Sequence, residues 1–339
     1  MQKKDLGLAV LVLVVATVVA AINPRFLSPI NLANTANLIG LYGLFTIAEA
    51  FVIVTAGIEL SVGSVIALVG VLFVDLIVVQ EVPWPLAMII VLILGAVLGM
   101  IHGLLVTRLK LQPFVVTLCG LLIYRGIARF YTKDGTAGFS FGDEFPLLEW
   151  LVSGRTGGVP HSIMAFGAVA VVAWFVLHRT VFGRHLFAVG KNAEAAHFAG
   201  INTTRVIVLA YVICMVLTAL SAIFFAMYTR SIQPSSHGNF YELYGIAAAV
   251  LGGFSLRGGE GSVVGAVLGV ILLQMLQNLV NLLGIPSSLN FAVMGGVILI
   301  GVITDNQVAR YRSRRQQAKA LSALETSMRA ELLAADRSK

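Results

Sequence analysis

Four amide side chains recur at helical spacing late in the chain: Gln274, Gln277, Asn278 and Asn281, at i, i+3, i+4 and i+7. That spacing sets them on one helix face. The run that carries them, Ser262–Leu283, is otherwise apolar. Such a face either lines a wet passage or binds helices together. Three ionisable groups, Glu49, Asp75 and Arg125, also sit inside long apolar runs. Charges there are costly and face a cavity or one another. Glu49 and Asp75 could each pair with Arg125, or the three could form an ion or proton relay. Groups that make and break covalent bonds are not arranged for catalysis. The six histidines (His102, His161, His178, His185, His197 and His237) form no H-E-x-x-H pair. Cys119 and Cys214 stand in apolar runs without a neighbour at metal-ligand spacing, and read as small buried hydrophobes. A phosphate loop is missing, since Gly190–Lys191 is followed by Asn192, and there is no G-x-S-x-G elbow. We therefore expect no catalytic residue, no metal site and no enzyme.

The elements that must position these groups are membrane helices. Apolar residues make up 58% of the 339 and charged residues 12%, against roughly 25% charged in a soluble domain. Runs long enough to cross a bilayer core are Leu6–Ile22, Leu38–Ile58, Val62–Val79, Leu86–Val106 and Pro113–Tyr131, then Ser162–Leu177, Val206–Thr229, Ser262–Leu283 and Leu289–Thr304. With the short, Gly-rich Leu243–Leu256 they predict an all-α bundle of about ten membrane helices. Lys3, Lys4, Arg108, Lys110, Arg179, Arg184, Lys191, Arg205, Arg257 and the basic tail from Arg310 then share one side. Arg25, Lys133, Arg155 and Arg230 fall on the other. The positive-inside bias predicts cytoplasmic N- and C-termini. It also accounts for the net charge of +7, because the bases are dispersed at helix ends rather than gathered for nucleic acid. An alternative reading of Lys3–Ala21 is a cleaved signal peptide, which would leave the basic loops on the wrong side. The membrane domain is expected over 1–305, with an outside loop at 132–160 and an inside loop at 178–204. A cytoplasmic tail follows at 306–339, where Leu321, Leu324, Met328 and Leu332 recur at helical spacing. That spacing suits a surface-bound amphipathic helix or a solvated one.

Two interruptions stand out. Gly57-Ile-Glu-Leu-Ser-Val-Gly-Ser64 parts two apolar runs by a few residues, as broken helices lining a cavity do. Leu251-Gly-Gly-Phe-Ser-Leu-Arg-Gly-Gly-Glu-Gly-Ser262 has no strand before it and reads as a tight turn, not a nucleotide loop. Gly57, Gly63, Gly252, Gly253, Gly258, Gly259 and Gly261 are its and its counterpart's structural residues.

The first interruption resembles the GIDLSVGS signature of the ribose/arabinose/xylose-type permeases of bacterial ABC importers, with Glu59 where Asp is usual. Gln112-Pro-Phe-Val-Val-Thr117 with Tyr124-Arg125-Gly126 resembles the family's PFIVTL…RG segment. Gly183–Ile201 looks like its main cytoplasmic loop, and Val250–Ser262 like its LGG.SL.GG.GS turn. The matches run in the family's order from roughly residue 25 to 305. The resemblance implies two inverted halves and a monosaccharide as cargo. It also implies a separate ATPase subunit binding ATP and Mg, a second permease subunit (a copy or a paralogue), a periplasmic sugar-binding protein, and the bacterial inner membrane as location. Glu194-Ala-Ala-His-Phe-Ala-Gly200 fits the EAA-x-x-x-G pattern for docking the ATPase, so Glu194, Ala195, Ala196 and Gly200 are the implied coupling residues. Ala195 and Ala196 are small helix formers and Gly200 suits a helix end. Glu49, Arg125 and the four amides are the candidate lining of the path. An ion-coupled transporter using Glu49, Asp75 and Arg125 is the alternative.

Overall fold

The computed structural model describes residues 3–140 and 142–286, with positions 289, 292, 295, 296 and 299 beyond them. Twelve helices follow one another among the described residues: α1 (Lys3–Ile22), α2 (Pro29–Ile53), α3 (Val62–Val78), α4 (Trp84–Thr107), α5 (Pro113–Tyr131), α6 (Pro146–Ser153), α7 (His161–Arg179), α8 (Val181–Lys191), α9 (Ala193–Phe198), α10 (Thr203–Thr229), α11 (Tyr241–Leu251) and α12 (Val263–Leu282). The connections hold four two-residue strands: β1 (Ala137–Gly138), β2 (Arg155–Thr156), β3 (Val159–Pro160) and β4 (Ser231–Ile232). β1 pairs with β4 and β2 with β3, both antiparallel. The expected last span, Leu289–Thr304, and the tail with Leu321, Leu324, Met328 and Leu332 lie outside the described residues apart from isolated positions.

Seven of these helices are long and apolar enough to cross a membrane: α1, α2, α4, α5, α7, α10 and α12. The chain is an integral membrane protein on that ground. Two shorter apolar helices accompany them. α3 has 17 residues and covers nearly the run Val62–Val79, about 25 Å at 1.5 Å per residue. α11 has 11, overlapping the short run Leu243–Leu256, about 16 Å, well under a hydrocarbon core of about 30 Å. The run read as Leu38–Ile58 divides differently. Ser28 caps α2 by accepting from the Asn31 N–H at 3.4 Å, and Pro29 opens the helix. The helix stops at Ile53, and Ala56 takes a left-handed conformation at φ 63°.

Burial sorts the spans into a centre and a rim. The best span window of α2 is 78% buried, and those of α10 and α12 56% each, against 17% for α1 and 28% for α5. α10 packs on both α2 and α3, and α3 is almost wholly buried. The rim helices turn large apolar side chains outward: Leu13, Leu122, Phe130 and Val171 are all more than half exposed. Lipid or another membrane subunit solvates such a surface, since in water it would associate.

The connections gather at two ends. At one end Ser262 donates to Asp5 at 3.2 Å, the Gly259 N–H donates to the Val54 carbonyl at 2.8 Å, and Lys191 pairs with Glu260 at 2.6 Å. At the other, Asn23 donates to the Leu282 carbonyl at 3.1 Å, β1 meets β4, and Arg230 pairs with Glu149 at 2.6 Å. We call these the first and second ends.

Candidate translocation and coupling sites

The break after α2 is built as a clasp. From Gly57 to Ser61 the chain is not helical, and Glu59 within it is fully buried. One oxygen of Glu59 accepts from the Ser61 N–H at 2.8 Å and the Ser61 hydroxyl at 2.7 Å, which holds the start of α3. The other meets His102 Nδ1 of α4 at 2.7 Å. His102 Nε2 in turn lies 2.8 Å from the Tyr124 hydroxyl of α5, with the two rings stacked at 5.6 Å. Tyr211 of α10 donates to the Ile58 carbonyl at 3.2 Å. One short segment is thus tied to three other helices. Glu59 was singled out only for departing from Asp. Its extra methylene lets one carboxylate serve Ser61 and His102 with separate oxygens. His102 and Tyr124 were missed as partners. The available signal was a lone histidine inside an apolar helix, which a sequence cannot join to residues 43 and 22 positions away.

From this clasp α3 runs towards the second end. A second irregular segment, 230–240, leads into α11, which runs the opposite way towards the first end. The two helices meet start to start. A Cβ on Gly63 would collide with the Gly238 carbonyl oxygen, and one on Gly238 with that of Gly63. Only glycine at both positions allows this crossing, and Gly238 also takes φ +74°. Glu242 of α11 lies against Gly63, so an acid occupies the N-terminal pole of α3, where the helix dipole favours it.

Arg125 serves this junction. It donates to the carbonyls of Pro234 at 2.6 Å and His237 at 2.5 Å, fastening the segment before α11. The expected pairing with Glu49 or Asp75 is therefore corrected. Backbone carbonyls left free by the irregular segment outcompete distant carboxylates. Asp75 instead accepts from Tyr131 at 2.6 Å. Glu49 is fully buried in α2, and neither of its carboxyl oxygens has a hydrogen-bond partner among the described residues.

The four amides of α12 have different surroundings. Asn278 exchanges hydrogen bonds with Asn31 of α2, at 2.8 and 3.1 Å. Gln274 is buried, Gln277 keeps its carbonyl oxygen unpartnered, and Asn281 is exposed.

At the first end, Asn192 caps α9 by accepting from the Ala195 N–H at 2.9 Å. The helix closes as its sequence suggested. The Ile201 N–H reaches back to the Ala196 carbonyl at 3.0 Å, and Gly200 takes φ +85°. Glu194, Ala195 and Gly200 are exposed, but Ala196 is buried against the chain itself. Phe198, to which sequence reasoning gave no role, is 87% exposed. α8 connects this helix to the core. A Cβ on its Gly190 would strike the Val54 carbonyl, and Gly258 and Gly259, both left-handed, wrap the same point. The end of α8, the Gly-rich turn and the break after α2 therefore form one contact, closed by Lys191 and Glu260, with α9 following directly on α8. Among the described residues no cluster of three metal-ligating side chains occurs.

Comparison with known proteins places this geometry. The chain is 40% identical over 307 residues to the ribose import permease protein RbsC of Bacillus subtilis (strain 168), covering 91% of this chain and 94% of that protein. It is 36% identical over 306 residues to RbsC of Escherichia coli (strain K12), covering 90% and 94%. It is 30% identical over 315 residues to the fructose import permease protein FrcC of Rhizobium meliloti, covering 89% and 85%. No solved structure matches the chain. Residues 31–302 match the family described as branched-chain amino acid transport system / permease component, and the chain belongs to that family.

Proposed function

We propose that this chain is the transmembrane permease subunit of an ATP-binding-cassette importer that carries a monosaccharide across the bacterial inner membrane. The observation that carries the reading is similarity along nine-tenths of the chain to import permeases named for ribose and fructose. The family description names amino acids, but these relatives are named for sugars. The partners are an ATPase subunit that binds ATP and Mg, a second permease subunit (a copy or a paralogue) and a periplasmic sugar-binding protein. The first end, which holds α8 and α9, is cytoplasmic, and the N- and C-termini lie on that side. The path is lined from Glu49, Arg125, Gln274, Gln277 and Asn281, with Asn278 at its α2 edge. Two inverted halves are supported by the start-to-start meeting of α3 and α11, since half-helices arriving from opposite ends are what inverted repeats build.

ATP binding in the partner would move α9. Motion would pass through Gly190 and Gly259 to the break after α2 and so to the junction of α3 and α11. The test is to purify the native complex, identify the co-purifying ATPase and binding protein, and measure uptake in proteoliposomes. D-ribose, D-xylose, D-fructose and L-leucine serve as probes. Uptake of a sugar that requires ATP is expected. Uptake by the chain alone, driven by an ion gradient, would replace this reading with the ion-coupled one.

A further inference from the structure

Glu49, placed above in the lining of the path, is a buried acid whose carboxyl group has no partner among the described residues. It is fully buried with both carboxyl oxygens unpartnered, whereas the equally buried Glu59 uses both of its own. An acid at membrane depth without a partner costs free energy and marks a place where a substrate or ion is handled. Its surroundings say which. Tyr42, Phe45 and Glu49 recur at i, i+3 and i+7 along α2, so they share a face. That face meets Tyr241, Tyr244 and Gly245 of α11. The Tyr42 ring lies 5.0 Å from Tyr241 and 5.8 Å from Tyr244, and Phe45 stacks on Tyr241 at 5.6 Å with 18° between planes. Gly245 packs against Glu49, where a Cβ would stand 3.1 Å from the Glu49 Cγ. The seam adjoins the start-to-start junction, where irregular backbone at membrane depth implies a cavity or pathway.

The seam therefore offers hydrogen-bond acceptors without partners, phenol hydroxyls and broad aromatic faces. Polyhydroxylated rings present the complement: hydroxyls that donate to a carboxylate, and C–H faces that rest on the electron-rich face of an aromatic ring. Anionic cargo fits poorly. Two further acids, Glu59 and Glu242, lie within electrostatic reach of Glu49, and Arg125 is committed to carbonyls. α11 is short and lies between an irregular segment and the Gly252–Gly253 pair, which are the two places where it would hinge if it parted from α2.

Resting on the importer reading, we propose that the α2–α11 seam is the transit site for the carried monosaccharide. Glu49 accepts hydrogen bonds from sugar hydroxyls, and the Tyr42, Phe45 and Tyr241 rings take its C–H faces as α11 moves away. The test uses the complete complex with its ATPase and binding protein in proteoliposomes. Radiolabelled D-ribose, D-xylose and D-fructose are the probes, and ATP hydrolysis is followed alongside uptake. In Glu49→Gln, sugars moved per ATP hydrolysed should fall ten-fold or more, with a smaller fall in Glu49→Asp. Tyr241→Leu should behave like Glu49→Gln, while Tyr241→Phe keeps the ring and stays within two-fold of the parent. The tyrosine pair decides the matter if Glu49→Gln fails to assemble. Should uptake and hydrolysis fall in proportion, leaving the ratio intact, the seam is structural and the transit site is refuted. An unchanged ratio at full rates refutes it equally. If the parent complex moves none of the three sugars, the sugar-importer reading fails first and takes the site with it.

Discussion

Glu59 shows how much a single side chain can hold. It is sealed from solvent and makes three close contacts, two to Ser61 and one to His102. Removing one partner of such a buried hydrogen-bonded pair costs about 1–3 kcal/mol, because the other is left unsatisfied. His102→Leu should therefore lower the thermal stability of the detergent-purified chain. Adding Glu59→Gln to it should recover at least half the loss, since the carboxyl that lost its partner is gone. Additive losses in the double variant would show that the two residues do not act as a pair. Glu59→Asp restores the residue usual in the resembled motif but shortens the arm by one methylene. We expect it to lose one of its two sets of contacts, at about 1 kcal/mol. The amides of α12 allow a parallel comparison. Asn278→Leu strands Asn31 and should cost about 1–3 kcal/mol. Gln277→Leu removes a carbonyl that already lacks a partner, and should leave thermal stability within about 0.5 kcal/mol. A reversed order of the two in the same melting experiment would remove the distinction drawn between them.

At the scale of elements, α9 is an exposed short helix at the first end, joined to the core by α8. Small residues at 195 and 196 suggested that both would seat against a partner. The helix instead turns Ala196 inward and leaves Phe198 standing out at 87% exposure. A large aromatic side chain exposed on a short surface helix is a natural anchor for a partner's pocket. Phe198→Ser should leave the amount and melting of the purified chain unchanged, while the co-purified ATPase falls at least five-fold. Ala196→Trp should act on the chain itself. Overpacking costs about 1–3 kcal/mol, so its melting temperature should drop along with ATPase recovery. Gly200→Val forces a β-branched residue to φ +85° and should loosen the end of α9 at about 1–3 kcal/mol. Full ATPase recovery with Phe198→Ser would exclude this helix face as the docking element.

Over the whole molecule, the proposed importer reading sets the two ends on opposite sides of the membrane. Gly142 sits in the connection between α5 and α7 at the second end, and Asn192 caps α9 at the first. Both are exposed. In a chain with Cys119 and Cys214 replaced by Ala, a cysteine at Gly142 should react with a membrane-impermeant maleimide from the periplasm. One at Asn192 should react only after the inner membrane is opened. Labelling of both from one side would overturn the alternating path of the helices.

Hydropathy and the length of apolar runs alone determined that this is a helical membrane protein and where its long described spans lie, while short motifs carried the family resemblance. The spans were legible because a helix in lipid satisfies its own backbone, so a span is a property of consecutive residues. The end of α9 at Gly200 was legible for the same reason, being set by neighbours within one turn. Pairings between spans were not. Arg125 reaches carbonyls 109 and 112 residues on, Asn278 finds Asn31 across 247, and Glu59 finds His102 across 43. The shortness of α11 was visible in the run Leu243–Leu256, but its meeting with α3 was hidden, because that contact joins residues far apart along the chain. The tertiary structure decided these. Once helices pack, each buried polar group takes the nearest geometry that satisfies it, and nearness in a bundle bears no relation to nearness along the chain.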